Sequence, residues 1–242
     1  MRTLTFANRT LKEILRDPLT LFFGLGFPAI LLLLLSAIQA NIPVSMFEIG
    51  RLAPAMTVFG LSFITLFASI LIAKDRESAF LERLYTTPLT ATNFILGYSL
   101  PLILVAFMQV IFCFIIGVIL RLKLTFNLLL CLLLSLPISI FFIALGLLFG
   151  SILTQKQVGG VCGALLTNLS AWLSGIWFDI KLVGGAFEFI AKLFPFYHAV
   201  ELQTSIYATG TINITNLLVV LGYAIVFLII AILLFVRQMK KN

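Results

Sequence analysis

Residues 124–155 read LTFNLLLCLLLSLPISIFFIALGLLFGSILTQ and contain no Asp, Glu, Lys or Arg. An α-helix needs about 20 apolar residues to cross the hydrocarbon of a bilayer. The segment is rich in Leu, Ile and Phe and lacks the alternation that a strand of a membrane barrel shows. Because a helix satisfies its own backbone hydrogen bonds in lipid, we predict a transmembrane helix here.

The same pattern recurs along the chain. Other intervals free of charged residues are 18–47, 52–73, 84–120, 157–178 and 202–236. The whole chain is 62% hydrophobic and 10% charged, whereas soluble domains have roughly 45–50% apolar and about 25% charged residues. We therefore predict an all-α integral membrane protein with six transmembrane helices. Their expected positions are 19–40, 52–73, 94–120, 127–153, 158–178 and 216–236.

The distribution of positive charge predicts the orientation of these helices. If the N-terminus is cytoplasmic, the cytoplasmic segments hold most of the 16 Lys and Arg residues, as the positive-inside rule requires. We therefore expect a multi-pass protein of the cell membrane with both termini in the cytoplasm. The net charge of +7 suits contact with anionic membrane lipids. No loop combines a basic patch with interleaved aromatic residues, so no nucleic-acid partner is expected.

Residues 1–18 are predicted to form an amphipathic helix that lies in the membrane interface and turns into the first span at Pro18. One arc of this helix is apolar and consists of Leu4, Ala7, Leu11, Ile14 and Leu15. The opposite arc is charged and consists of Arg2, Arg9, Lys12, Glu13 and Arg16. Phe6 is the exception, because it falls among the charged residues. The helix serves either as a plain anchor or as a docking surface.

A second amphipathic segment follows the second predicted span. Residues 74–89 read KDRESAFLERLYTTPL. Its apolar side chains share one helical face, namely Phe80, Leu81, Leu84 and Tyr85. Pro88 disfavours helical geometry at Thr87 and so ends the helix there. We predict that residues 74–90 form a cytoplasmic helix held by a soluble partner, the alternative being a solvated helix that satisfies its own charges.

The region 179–215 is too polar and too interrupted to span the membrane. Glu188 and Lys192 stand at i and i+4 in the favourable order, which supports one short helix. Pro195 ends that helix, and residues 196–207 suit a second one. We predict two short helices that re-enter the outer leaflet, with an irregular surface loop as the alternative.

The sequence offers little for catalysis. His198 is the single histidine, so a multi-histidine metal site is excluded. The three cysteines, Cys113, Cys131 and Cys162, lie within predicted spans and suit apolar packing. No Walker A motif is present, so no nucleotide site is expected in the chain. We expect no catalytic residue and no bound metal or cofactor.

Polar residues inside the predicted spans are few and uncharged. A transporter driven by its own ion gradient usually keeps a charged residue near the membrane midplane, and none is present. Mild polar side chains occur instead at Ser62, Thr65, Ser69 and Asn168. They either line a path for an amphipathic molecule or form hydrogen bonds between helices. Gly146 and Gly150 form a GxxxG pair, which predicts close helix packing.

The chain resembles a type-2 ABC transporter permease over essentially its whole length. The sharpest part of the resemblance is Arg76-Glu77 followed by Leu81-Glu82-Arg83-Leu84 and Thr87-Pro88-Leu89. Ser174-Gly175 and Pro195-Phe196-Tyr197 also match the family pattern. The chain departs from that pattern at Ala79-Phe80, where many members have Gly-Thr.

The resemblance implies that residues 74–90 form a coupling helix that seats in a groove of a separate ABC ATPase subunit, aided by the N-terminal helix. The residues expected at this contact are Arg9, Lys12, Arg16, Asp75, Arg76, Glu77, Glu82, Arg83, Thr87 and Pro88. ATP and Mg²⁺ would bind to the ATPase subunit, so this chain itself would not be an enzyme.

The resemblance also implies a function. Two permease subunits, identical or different, would export a hydrophobic or amphipathic compound such as a drug, peptide or lipid-like molecule by alternating access. The substrate path would be lined by Ser62, Thr65, Ser69 and Asn168. Two other classes stay open from the residues alone. These are an integral membrane enzyme acting on a lipid-linked substrate and a non-catalytic immunity or assembly protein.

Overall fold

The computed structural model describes residues 2–42, 45–78 and 90–239, and all regular structure in these ranges is helical. The α-helices are α1 (Arg2–Leu15), α2 (Pro18–Leu21), α3 (Phe27–Asn41), α4 (Ile49–Glu77), α5 (Ala91–Ile119), α6 (Phe126–Ile152), α7 (Gln155–Val158), α8 (Thr167–Leu173), α9 (Ile180–Val183), α10 (Gly185–Leu193), α11 (Pro195–Thr209) and α12 (Ile214–Met239). π-Helical segments at Phe22–Gly26 and Gly159–Leu166 join α2 to α3 and α7 to α8, and a 3₁₀ turn at Ser45–Phe47 precedes α4.

Five helical stretches in the described residues are long and apolar enough to cross a membrane. They are Pro18–Asn41, Ile49–Glu77, Ala91–Ile119, Phe126–Ile152 and Ile214–Gln238. The predicted span at 158–178 is not among them. Its helical structure covers residues 155–173, passes through a π-helical segment, and gives way to a turn in which Gly175 has a φ of +75°. The all-helical membrane class is confirmed, and the sixth span stays a prediction.

α4 is the central helix of the bundle. Of its most apolar window, 89% is buried inside the chain, against 28% for Pro18–Asn41 and 17% for Ile214–Gln238. The two outer helices leave apolar side chains such as Leu33 and Leu233 exposed. Lipid or another subunit can cover such side chains at no hydrophobic cost. α4 thus lies inside the bundle, while α3 and α12 lie at its periphery.

α4 and α6 pack so closely that their backbones touch through Gly146 and Gly150. A Cβ atom on Gly146 would lie 2.5 Å from the Cβ of Ala68 and 3.0 Å from the carbonyl oxygen of Thr65. A Cβ on Gly150 would lie 2.8 Å from the Cβ of Ile72. The close packing predicted from the GxxxG spacing is therefore confirmed.

α1 packs on α5 in a way that differs from the expected division of its faces. Phe6, the apparent exception in the sequence, is buried edge-on against Phe94 and Tyr98, with ring centroids 5.7 and 4.9 Å away. Gly97 makes room for this ring, because a Cβ there would lie 2.0 Å from Phe6. Leu4, by contrast, is exposed. The presence of a protein neighbour, which the helical period does not reveal, explains the difference.

The region 179–215 is largely helical and contains α9, α10 and α11. Lys192 and Glu188 form the ion pair expected from their spacing, with Nζ and Oε1 2.6 Å apart. Pro195 ends the preceding segment and occupies the first turn of α11, where its missing N–H is not needed. His198 contacts the carbonyl oxygen of Lys192 and Oδ1 of Asn216, which links the end of α10 to the start of α12.

Candidate functional site

One face of the bundle, called here the N-terminal face, gathers helix ends from distant parts of the sequence. It consists of α1, the last turn of α4, the first turn of α5, the junction of α6 with α7, and the end of α12. The hydroxyl of Thr3 donates to Oδ1 of Asn93 (2.8 Å), and Nε2 of Gln238 donates to the carbonyl oxygen of Ser151 (2.8 Å). Both ends of the described chain therefore lie at this face, as do the residues that flank 79–89.

Asp75 is the centre of a buried polar cluster at this face, called here the Asp75 cluster and made of Asp75, Arg9 and Tyr98. Asp75 lies in the last turn of α4 and is only 2% exposed. Arg9 donates to both carboxylate oxygens, at 2.6 and 2.9 Å, and the hydroxyl of Tyr98 donates to Oδ2 at 2.9 Å. One carboxylate thus joins α1, α4 and α5.

The geometry of the Asp75 cluster satisfies a charge that would otherwise be costly to bury. An unpaired carboxylate removed from water loses several kcal/mol of solvation. The bidentate arrangement with Arg9 fixes direction as well as distance, because the guanidinium fork matches the two carboxylate oxygens. Burial lowers the pKa of Arg9 and the Asp75 carboxylate raises it, with a net increase, so Arg9 stays charged.

A second, more exposed layer of charge covers the Asp75 cluster. Glu13 contacts Arg9 at 2.9 Å and Lys74 at 2.7 Å. The Lys74 side chain is 55% exposed, so its pair with Glu13 contributes at most about 1 kcal/mol to stability. The buried Asp75 cluster, rather than this surface layer, holds α1 against the end of α4.

The next two residues of α4 contact the opposite side of the face, at the junction of α6 and α7. Arg76 donates to the carbonyl oxygens of Ser151 and Leu153, where α6 ends. A cation at this position complements the free carbonyls and the negative end of the helix dipole. Glu77 accepts a hydrogen bond from the backbone N–H of Gln155 (2.9 Å), at the start of α7. The last turn of α4 is therefore held from two sides.

The residues expected at the ATPase contact fall into three groups. Glu82, Arg83, Thr87 and Pro88 lie outside the described residues. Arg9, Asp75, Arg76 and Glu77 have partners within this chain, and of these Asp75 is buried while Glu77 is exposed. Their contact with an ATPase subunit stays a prediction. Lys12 and Arg16 are exposed and line a cavity between α1 and α4. The partners within the chain arise because Asp75, Arg76 and Glu77 continue α4 to its last turn, beside α1 and the junction of α6 with α7.

Tyr98 and Phe6 belong to this site although the sequence pattern did not predict a role for them there. Tyr98 is fully buried in the first part of α5. Its hydroxyl needs a partner once it is buried. The available signal in the sequence was Asp75, an acidic residue at the end of the preceding span. Phe6 gave a weaker signal, as the one aromatic residue on a charged arc.

The residues expected to line a substrate path are placed differently from one another. Ser62, Thr65 and Ser69 are fully buried in α4. Thr65 donates to the carbonyl oxygen of Phe142 (2.8 Å) and Ser69 to that of Gly146 (3.1 Å), so these two form the interhelical hydrogen bonds that were the alternative. Ser62 donates within its own helix. Asn168 is exposed on α8.

At the opposite end of α4 lies a cavity of about 430 Å³. It is lined by the first turn of α4, the turn after α8 and one side of α11, with charged residues of both signs that include Glu48, Arg51 and Glu201. Across the ranges that the structure describes, no three His, Cys, Asp or Glu side chains are grouped so that they could hold a metal ion.

Comparison with known proteins gives one positive finding. A family model described as ABC-2 type transporter matches residues 1–208. The match includes the whole N-terminal face apart from the end of α12. None of the curated proteins matches the chain.

Proposed function

Since the chain belongs to the ABC-2 type transporter family and is thus the multi-pass permease subunit of an ABC transporter, we propose that it exports a hydrophobic or amphipathic compound. ATP and Mg²⁺ would be bound by separate ATPase subunits, since family membership implies such a partner in general. The substrate would be a drug, peptide or lipid-like molecule, as the family resemblance implies.

The observation that carries this proposal is the attachment of the last turn of α4. Asp75 joins it to α1 and α5, and Arg76 and Glu77 join it to the junction of α6 and α7. A force applied to the segment that follows would reach all of these helices, because α4 is also the most buried helix of the bundle. Residues 74–90 would therefore couple movement of the ATPase subunits to the permease.

The proposed orientation places the N-terminal face in the cytoplasm. This face carries Arg9, Lys12, Arg16, Lys74 and Arg76 close together, which suits the positive-inside rule. An ATPase that consumes cytoplasmic ATP must bind on the same side. The protein would thus lie in the cell membrane with both termini cytoplasmic.

A second permease subunit, identical or different, is proposed to cover the side of the bundle formed by residues 155–173. Leu165 and Trp172 are 62% and 53% exposed there, and a Cβ atom on Gly159 or Gly160 would meet nothing within 4 Å. Small residues allow two helices to approach closely in a membrane. Asn168 would then lie between two subunits, where it is our remaining candidate for lining the path.

Charge reversal in the coupling segment tests the partner. Glu82→Lys and Arg83→Glu are each expected to abolish co-purification of the ATPase subunit that accompanies the wild-type chain, because a like charge within an interface costs several kcal/mol. Membrane insertion of the permease should be unchanged. Lys156→Glu reverses an exposed charge at the N-terminal face and serves as the control. If both variants retain the ATPase and transport normally, the coupling role of 74–90 is wrong.

Substitution of Arg76 tests transmission rather than binding. Arg76→Gln removes the contacts with the end of α6 while leaving residues 79–89 unaltered. The ATPase subunit is expected to co-purify as before, and transport per ATP hydrolysed should fall roughly fivefold or more, the size of a typical coupling between sites. Lys156→Gln is the matched control. Unchanged transport per ATP in Arg76→Gln would show that the α6–α7 junction does not transmit movement from the ATPase subunit to the permease.

A further inference from the structure

A cavity of about 800 Å³ lies between α1 and α4 at the N-terminal face. This volume falls within the range of about 300–1,000 Å³ that is common for small-molecule sites. One wall comes from the polar side of α1 and includes Lys12 and Arg16, and the facing wall comes from α4 and includes Phe67, Ile70 and Leu71. The cavity is therefore cationic on one side and apolar on the other.

Among the cations that line this cavity, Lys12 and Arg16 are available to bind an anionic ligand. The other two lining cations, Arg9 and Lys74, are engaged by Asp75 and Glu13. Neither Lys12 nor Arg16 forms an ion pair with any residue in the described ranges. Both side chains are exposed, so a ligand can reach them from outside.

Asp17, the carboxylate next to Arg16, is occupied by the start of α2. Its oxygens accept hydrogen bonds from the hydroxyl of Thr20 (2.7 Å) and the backbone N–H of Leu19 (3.1 Å). The hydrogen bond from Thr20 is the main cause that holds the pKa of Asp17 below its usual value. Asp17 thus caps α2 and keeps its negative charge, so the cavity lining carries the four cations Arg9, Lys12, Arg16 and Lys74 against the two carboxylates of Glu13 and Asp17.

Exposed apolar side chains follow the cationic wall along the chain. Leu15, Leu19 and Phe22 are exposed along the chain that leads from the cavity into the membrane. An occupant with a charged group at Lys12 and Arg16 would meet the apolar wall of α4 with its remaining part. Basic pockets between membrane helices bind anionic lipid headgroups by this combination of charge and apolar contact.

We propose that this cavity binds an anionic phospholipid from the leaflet at the N-terminal face, with the phosphate at Lys12 and Arg16 and an acyl chain along Phe67, Ile70 and Leu71. A lipid site here requires only the membrane location of the chain and no ATPase subunit. Lys12 and Arg16 would then contact a lipid rather than the ATPase subunit. The two assignments can be separated by experiment.

The direct test is a titration of the whole purified chain in neutral detergent with dioctanoyl phosphatidylglycerol, followed by native mass spectrometry. We expect binding to weaken roughly 30-fold in Lys12→Gln/Arg16→Gln, because each cation near an anionic lipid contributes a factor of about five. Lys12→Arg/Arg16→Lys should bind as the wild type does. Lys156→Gln/Arg237→Gln removes two exposed cations elsewhere and should change binding less than about twofold.

Three further ligands identify what the cavity recognises. Dioctanoyl phosphatidylcholine, which has the same chains and no net charge, should bind more weakly than phosphatidylglycerol. Glycerophosphoglycerol, which has the headgroup without chains, and inorganic phosphate should fail to compete at equal concentration. Competition by either of these two would overturn the role of the apolar wall.

Unchanged lipid binding in the variant without the two cations would contradict the lipid site. If Lys12→Gln/Arg16→Gln binds phosphatidylglycerol as tightly as the wild type, the inference is wrong, and loss of the ATPase subunit from the same variant would assign the two cations to that partner. Because the titration uses no ATPase, a failure here leaves the result of the Glu82 and Arg83 variants untouched.

Discussion

Arg9→Ala is expected to destabilise the folded chain by about 2–4 kcal/mol, because it leaves the buried carboxylate of Asp75 without its counter-charge. Breaking a fully buried ion pair costs about 3–5 kcal/mol. The estimate here is lower, since the Arg9 side chain is 35% exposed and water can partly replace it. The measurement is the thermal unfolding midpoint of the purified chain in neutral detergent, followed by the fluorescence of Trp172 and Trp177.

A triple variant separates loss of packing from loss of charge pairing. Arg9→Met/Asp75→Leu/Tyr98→Phe removes every polar group of the Asp75 cluster, so no charge is left unpaired. Apolar replacement of a whole buried pair is often neutral, and we expect this variant to be more stable than Arg9→Ala alone. Arg16→Ala, an exposed arginine of the same segment, is the control and should change the midpoint little. A triple variant less stable than Arg9→Ala would contradict this account.

Gly146→Ala is expected to destabilise the chain by about 1–3 kcal/mol, the usual penalty for an added methyl group in a close-packed core. The new Cβ would lie 2.5 Å from the Cβ of Ala68 and 3.0 Å from the carbonyl oxygen of Thr65. A backbone atom cannot move aside without shifting α4 against α6. Thermal unfolding in the same detergent measures the loss.

Gly222→Ala supplies the matched control because a Cβ there would meet nothing within 4 Å. Ala is favoured over Gly in a helix by about 0.5–1 kcal/mol, so this variant should be neutral or slightly more stable. Adding Ala68→Gly to Gly146→Ala removes the nearest obstructing atom and should recover part of the loss. Equal effects at Gly146 and Gly222 would show that α4 and α6 do not meet at Gly146.

These experiments bear on function because the same helix carries both features. α4 is fastened to α6 along its length by close glycine contacts and by hydrogen bonds from Thr65 and Ser69. Its last turn is fastened to α1 and α5 by Asp75. If residues 74–90 couple to an ATPase, α4 is the element through which movement would enter the bundle.

The sequence was sufficient for the membrane class, the approximate limits of five long helices, the close packing at Gly146 and the family. Each of these follows from a local property. A long run of Leu, Ile and Phe excludes water whatever its neighbours are, and a GxxxG pair leaves the same smooth surface in any context. The resemblance rested on short motifs such as Ser174-Gly175, which are also read locally.

The tertiary structure alone decided how the polar residues are used. The sequence did not reveal that Asp75 and Arg76 have partners within the bundle, because these partners, Arg9, Tyr98 and the carbonyls of α6, are distant in sequence. Phe6 looked misplaced for the same reason, since the ring fits a gap above Gly97 that only α5 creates. Charge and polarity are encoded residue by residue, but whether a charge meets a partner or water depends on which helices are adjacent, and adjacency is a property of the folded chain.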